Sequence, residues 1–273
     1  MRWTPRTVVW VVGSAAMRRA LKVVLASFAL LAVSVACEPA QVQQFRAAKG
    51  LPALSDEDAV RAAEYFTRIE EEVARRRRFV GTISTVDAAR LGLSWRPGCP
   101  VAPSDLRLLT LSYWGMDGTE RVGELIVHGW IAERMVGVFR TLWEEKFPIN
   151  RMETPERWAR PEDFDPQGQY IERPPSVDHI NNTYGFFCRP ATGGSAWSMH
   201  SFGLAVDINP VENPYLRGST LIPLNGDLDR SAPRNGKILR GSVPVQSMGR
   251  AGMIWGGDWR SLKDYMHFSP NGR

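Results

Sequence analysis

A chain of 273 residues, 44% apolar and 23% charged, is long enough for one ordinary domain with extra sequence beside it, and its composition excludes a disordered chain, a collagen and a coiled coil. The formal net charge of +5 is misleading. Arg2, Arg6, Arg18, Arg19 and Lys22 all precede the first acidic residue, and setting these five aside leaves 29 basic against 29 acidic residues, so the electrostatic footprint of a nucleic-acid binder is missing and no such partner is expected.

In chain order, Arg18, Arg19 and Lys22 form a positive segment ahead of the apolar run Val23–Val35, and Ser34-Val35-Ala36 places small residues before Cys37. This is the pattern of a secretory signal over residues 1–37, too short to span a membrane comfortably, with Met17 a more ordinary start than Met1. Cys37 is either a lipid-bearing first residue or simply the residue at a cleavage junction; Ser34 stands where a lipoprotein signal usually carries Leu, and both readings stay open. Contact with membrane is expected only through the signal or such an anchor. The chain is expected to be extracytoplasmic, secreted to the cell wall or anchored to the outer face of the membrane. With Cys37 at the junction, Cys99 and Cys188 remain, and an exported chain is expected to join them across a loop of about 90 residues; two buried thiols are the alternative.

Residues 38–90 read as a linker and helical extension. The segment to Leu54 is polar and rich in breakers. Ser55 reads as an N-cap for a helix that begins on Asp56, Glu57 and Asp58 and ends on the basic run Arg75–Arg78. The main domain, 91–273, is expected to open near Leu91. Leu106–Tyr113 and Gly123–His128 suit strands, and Ile131, Met135, Val138 and Leu142 share one face of a helix running to about Lys146. Residues 151–175 and 213–244 read as irregular loops. Strands and helices mix without regular alternation, which predicts an α+β fold.

The chain has four histidines. His128, between a strand and a helix, and His179, in a polar loop, read as structural. His200 and His267 sit inside dense motifs: Ser198-Met199-His200-Ser201-Phe202-Gly203-Leu204-Ala205-Val206-Asp207, and Trp255-Gly256-Gly257-Asp258-Trp259 followed by Asp264-Tyr265-Met266-His267. A hydrolytic zinc needs about three nitrogen or carboxylate ligands and an open position for water. His200, Asp207 and His267 supply such a set for one ion per chain. Asp207 is the one charge in the apolar run Leu204–Ile208, costly to bury without a cation. Asp264, three residues before His267, is expected on the same side of a helical turn or tight loop, beside the metal without binding it.

These two motifs resemble the VanY-type D-alanyl-D-alanine carboxypeptidase and L-alanyl-D-glutamate peptidase family of zinc peptidases over roughly residues 120–270, and Trp255–Trp259 is most similar to its L-alanyl-D-glutamate branch. The resemblance implies a small central antiparallel sheet with flanking helices, shared with the hedgehog signalling domain. It implies zinc on His200, Asp207 and His267, Asp264 as general base, and Arg189 in Phe187-Cys188-Arg189 as the group that steadies the carbonyl oxygen. Ser198 and Asp258 are the candidates for substrate binding, each with a turn-forming alternative. The implied substrate is a peptidoglycan stem peptide, cut by a monomer at either a D-Ala-D-Ala or an L-Ala-D-Glu bond. A non-catalytic zinc-bearing wall-binding module of the same fold is the competing reading.

Overall fold

The computed structural model describes residues 37–164, 180–192 and 194–272. The expected leader over residues 1–36, residues 165–175 of the first irregular stretch, and His179 lie outside them. Among the described residues no helix is long and apolar enough to cross a membrane. The chain divides into two compact units between Ala74 and Arg75.

The first unit holds α1 (Pro39–Ala48) and the greater part of α2 (Asp56–Arg78). Helix α1 occupies what reads as linker. Pro39 is a breaker within a helix but costs nothing in the first turn, where its absent N–H would have no partner anyway, and the Gln41 side chain accepts the Glu38 N–H at 2.9 Å. Ser55 caps α2 as expected, its hydroxyl accepting from the Asp58 N–H at 3.2 Å. The Gln43 amide donates to the Leu54 carbonyl at 2.8 Å and accepts the Leu54 N–H at 3.1 Å.

The second unit is built on a three-stranded antiparallel sheet of β1 (Gly81–Thr85), β2 (Leu106–Trp114) and β3 (Glu120–His128), in the order β1-β2-β3. Strand β1 lies in the stretch read as extension, so the sheet starts ahead of Leu91. Its sequence Gly-Thr-Ile-Ser-Thr has a single large apolar residue, and pairing with β2, Gly81 opposite Leu111 through Thr85 opposite Arg107, carries it instead. Strands β2 and β3 form a hairpin from Leu106 opposite His128 to Trp114 opposite Glu120. Asp117 accepts from both the N–H and the hydroxyl of Thr119 in its turn. After the short α3 (Ala88–Leu91) and the hairpin comes α4 (Gly129–Glu144). Its Ile131, Met135, Val138, Phe139 and Leu142 pack on Leu109, Leu111, Leu125 and Val127 of the sheet. Burial of each such side chain contributes about 1.5–3 kcal/mol.

The remaining strands are very short: β4 (Arg151–Met152), β5 (Asn182–Thr183), β6 (Val206–Asp207), β7 (Tyr215–Arg217), β8 (Thr220–Ile222), β9 (Ile254–Trp255), β10 (Lys263–Asp264) and β11 (His267–Ser269), with α5 (Val243–Arg250) between β8 and β9. They form two further antiparallel sheets, β6-β11-β9 and β10-β7-β8, and a parallel pair β4-β5. The fold is α+β with small antiparallel sheets, as expected. Val206, Ile208 and Phe268 join the core under α4, which fixes β6 and β11 on the scaffold.

Candidate metal centre

Register assembles the centre. Antiparallel pairing sets His267 of β11 directly opposite Asp207 of β6, and such partners have Cβ atoms about 4.5–5.5 Å apart. His200 comes from a one-turn 3-10 helix, Met199–Phe202, whose N-cap Ser198 accepts the His200 N–H at 3.3 Å. Gly203 ends that turn at φ +65°, and a Cβ there would meet the His128 nitrogen at 2.6 Å. That close approach lets the Gly203 carbonyl accept the His128 N–H at 2.8 Å and locks the turn against the end of β3. His128 itself caps α4, its Nδ1 accepting the Trp130 N–H at 3.1 Å, in keeping with a structural role.

The three side chains are buried and their ligand atoms lie within 4.8 Å of one another, a group able to hold a metal ion. His200 Nε2 is 3.0 Å from Asp207 Oδ2, His267 Nδ1 is 2.9 Å from Asp207 Oδ1, and the two ring nitrogens are 3.3 Å apart. A tetrahedral ion with bonds of about 2.0–2.1 Å separates its ligands by about 3.3 Å. The donor chemistry points the same way. His200 Nδ1 is 2.5 Å from the Gly185 carbonyl, which can only accept, so that nitrogen carries the hydrogen and Nε2 turns a lone pair toward the carboxylate. Burial pushes His200 toward the neutral ring, against the pull of Asp207. Burial pushes the Asp207 carboxyl up, and the facing His200 and His267 hold it below the usual carboxylate range only when those rings are protonated. A buried anion facing a lone pair calls for a shared cation.

A cleft of about 490 Å³ opens on the cluster and brings Arg189, Ser198 and Asp264 to it. Asp264 does not share a helical turn with His267: it sits in β10 opposite Tyr215, and a bend at Tyr265–Met266 carries the chain into β11. The bend does the work expected of a turn, because an unbroken strand would send residues three apart to opposite faces. The Gly256 backbone closes on this strand so tightly that a Cβ there would meet the Asp264 carbonyl oxygen at 2.4 Å. Lys263 Nζ reaches back to the Trp259 and Gly257 carbonyls at 2.5 and 3.1 Å. Arg189 is buried, donating from Nη2 to the Tyr184 hydroxyl at 3.0 Å and from Nη1 to the Pro190 carbonyl at 3.2 Å. Cys188, its neighbour, is bonded to Cys99.

Asp258 is the candidate that the structure does not bring to the site. Its carboxylate pairs with Arg240 at 2.7 Å, and it is not among the residues lining the cleft. Nothing in the local Gly-Gly-Asp-Trp pattern announces a partner 18 positions earlier in the chain. Three residues escaped the sequence reading. Tyr184 stacks on His200 with ring centroids 4.7 Å apart and exchanges backbone hydrogen bonds with Asp207. Ser201 donates to the Arg189 carbonyl at 2.6 Å and accepts the Arg189 N–H at 2.9 Å. Trp259 lies against His267, centroids 5.4 Å apart; its place in the tryptophan-glycine motif was a usable signal, whereas Tyr184 carried none.

Two imidazoles and a carboxylate around one point, with a second carboxylate and a guanidinium on the same cleft, suit metal-assisted hydrolysis. Residues 192–270 match the family model described as D-alanyl-D-alanine carboxypeptidase, so the VanY-type resemblance of the two motifs holds over that segment, with Arg189 three residues ahead of it. No curated protein matches the chain, and no solved structure does.

Proposed function

We propose that the chain is an exported, monomeric zinc metallopeptidase that hydrolyses amide bonds in peptidoglycan stem peptides. The observation that carries this reading is the convergence of His200, Asp207 and His267 within 4.8 Å on a cleft that also holds Asp264 and Arg189. Zinc suits a mixed imidazole and carboxylate set and, when bound, supplies an acidified water and a Lewis acid for the scissile carbonyl. Asp264 takes the proton from the attacking water and passes it to the leaving amine. The Arg189 guanidinium, held by the Tyr184 hydroxyl, faces the negative charge that develops on the carbonyl oxygen. Ser198 fixes the turn that presents His200, and Gly185 fixes the ring. The family description and the Cys99–Cys188 bridge support action outside the cytoplasm, where disulfides persist.

Metal analysis of the purified chain, together with digestion of peptidoglycan read by mass spectrometry, tests the proposal. About one zinc per chain and defined stem fragments are expected. Asp264→Ala should keep the metal and lose roughly 10²–10⁴-fold in turnover, whereas His200→Ala should lose both. Zinc bound without cleavage of any wall peptide would replace the enzyme with a metal-bearing binding module.

A further inference from the structure

Two guanidiniums on the cleft, Arg217 and Arg260, have no role in the chemistry just described and no ion-pair or hydrogen-bond partner among the described residues. Elsewhere the exposed arginines Arg78, Arg121, Arg157 and Arg234 each meet a carboxylate within 3.0 Å. What sets the two apart is their place: both line the cleft that opens on the metal cluster. The cleft carries three guanidiniums, Arg189, Arg217 and Arg260, against the two carboxylates Asp207 and Asp264.

The position of Arg217 is set by the strand paired with the one that carries Asp264. Arg217 ends β7, two residues after Tyr215, which is the register partner of Asp264 and also lines the cleft. Residues two apart face the same side of a strand, and that step advances about 7 Å. An extended peptide covers the same distance in about two residues. Arg260 follows Trp259, the residue packed on His267, and so reaches the cleft from a separate segment. Guanidinium forks recognise carboxylates bidentately, and a neutral peptide would leave both of these facing water.

We propose that Arg217 and Arg260 form a carboxylate subsite, so that the substrate is an anionic peptide with a free carboxylate about two residues from the scissile bond. The subsite rests on the peptidase reading and names its substrate class. Matched synthetic peptides test it, carrying at that distance, on either side of the cleaved bond, a free carboxylate or the corresponding carboxamide. Binding is read by anisotropy on the metal-loaded Asp264→Ala chain, in which turnover is slowed, and cleavage is read on the unmodified chain. The acid form of one pair should bind about five- to tenfold tighter than its amide. That preference should shrink as salt rises and should disappear in the Arg217→Gln/Arg260→Gln background, with the affinity for the amide unchanged.

Equal affinity for acid and amide in every pair overturns the subsite, and cleavage of those peptides by the unmodified chain would then leave the peptidase standing. A preference that survives both arginine substitutions overturns the assignment to these residues. A retained preference without cleavage of any peptide removes the peptidase and keeps an anion-binding cleft.

Discussion

The two halves of the second unit are held together in different ways. From Gly81 to Glu144 the chain makes strands of up to nine residues and a 16-residue helix joined by an apolar core. From Asn182 to Ser269 no strand exceeds three residues among those described, and buried polar side chains replace the missing ladders. Asn182 exchanges both of its hydrogen bonds with the Glu153 backbone. Asn209 donates to the Pro148 and Gly236 carbonyls and accepts the Asn150 N–H. Asn213 donates to three carbonyls and accepts from Ile238 and Arg230. A metal cluster needs ligands aimed from several directions, which a long regular strand cannot supply. Irregular backbone can, provided that every buried polar group is satisfied.

The difference can be broken from either side, and the largest effect on stability is expected in the sheet. Leu109→Ala removes a fully buried side chain from the core and should cost about 2–5 kcal/mol in urea unfolding. Leu109 does not line the cleft, so the folded variant should keep kcat within about twofold. A large fall in kcat with the metal retained would mean that the two halves are not separable.

Next in size is the covalent tie between the halves. Cys99 precedes β2, Cys188 adjoins Arg189, and the bridge spans 89 positions. Replacing both cysteines with alanine should cost about 2–4 kcal/mol, since a long loop is released in the unfolded chain. Thermal unfolding with and without reductant checks this: reductant should lower the midpoint of the parent and leave the double variant unmoved.

Asn213→Ala should cost less in stability, about 1–3 kcal/mol for the polar groups it leaves unpaired, and more in activity. Pro214 accepts the Tyr265 N–H, and Tyr215 pairs with Asp264, so the proposed general base sits on a strand paired with the segment that Asn213 anchors. A kcat reduced more than about tenfold with bound zinc unchanged is the expected result. A stability loss with full kcat would make the polar network scaffold only.

The same contrast decides what could be read in the sequence. Leu106–Trp114, Glu120–His128 and the helix after them announce themselves through apolar periodicity, because each buries one face against a continuous core. The two histidine motifs are visible for another reason: metal chemistry needs particular residue types at particular spacings. Between these two kinds of signal the sequence is quiet. Strand β1 has too few apolar residues to show a period, and strands of two residues show none. Pro39 looks like a breaker until its place in the first helical turn is known. Asp258 looks like a site residue because it stands in a glycine-tryptophan motif, while its Arg240 partner comes from a separate loop. Arg217 and Arg260 are two arginines among many until strand pairing puts the first near Asp264.

The smallest expected effect compares one exposed turn from each half. Asp117, in the β2–β3 turn, has its carboxyl lowered to about 2, chiefly by the hydroxyl and N–H of Thr119 and then by Arg121. Asp229, in the loop after β8, is also lowered to about 2, by the hydroxyl and N–H of Ser231 and then by Arg234 and Lys237. The unfolded value is about 3.9. A carboxyl lower in the folded chain stabilises it above the unfolded value, and that contribution is lost as pH falls through about 2. Asp117→Asn and Asp229→Asn should therefore each flatten the decline of the urea midpoint between about pH 4 and 2, and should differ little from each other there. Above that range they should part. Asp229 sits beside Lys237, whose buried ammonium is paired to Asp227 at 2.6 Å and also donates to the Asp229 carbonyl. Asp229→Asn should loosen the loop whose Arg230 guanidinium lies over the Tyr265 ring, next to Asp264, and lower kcat a few-fold at neutral pH, while Asp117→Asn should leave kcat alone. Equal kinetics in the two variants would confine the polar bracing to the buried asparagines and leave the Asp227–Lys237 loop without a share in holding the site.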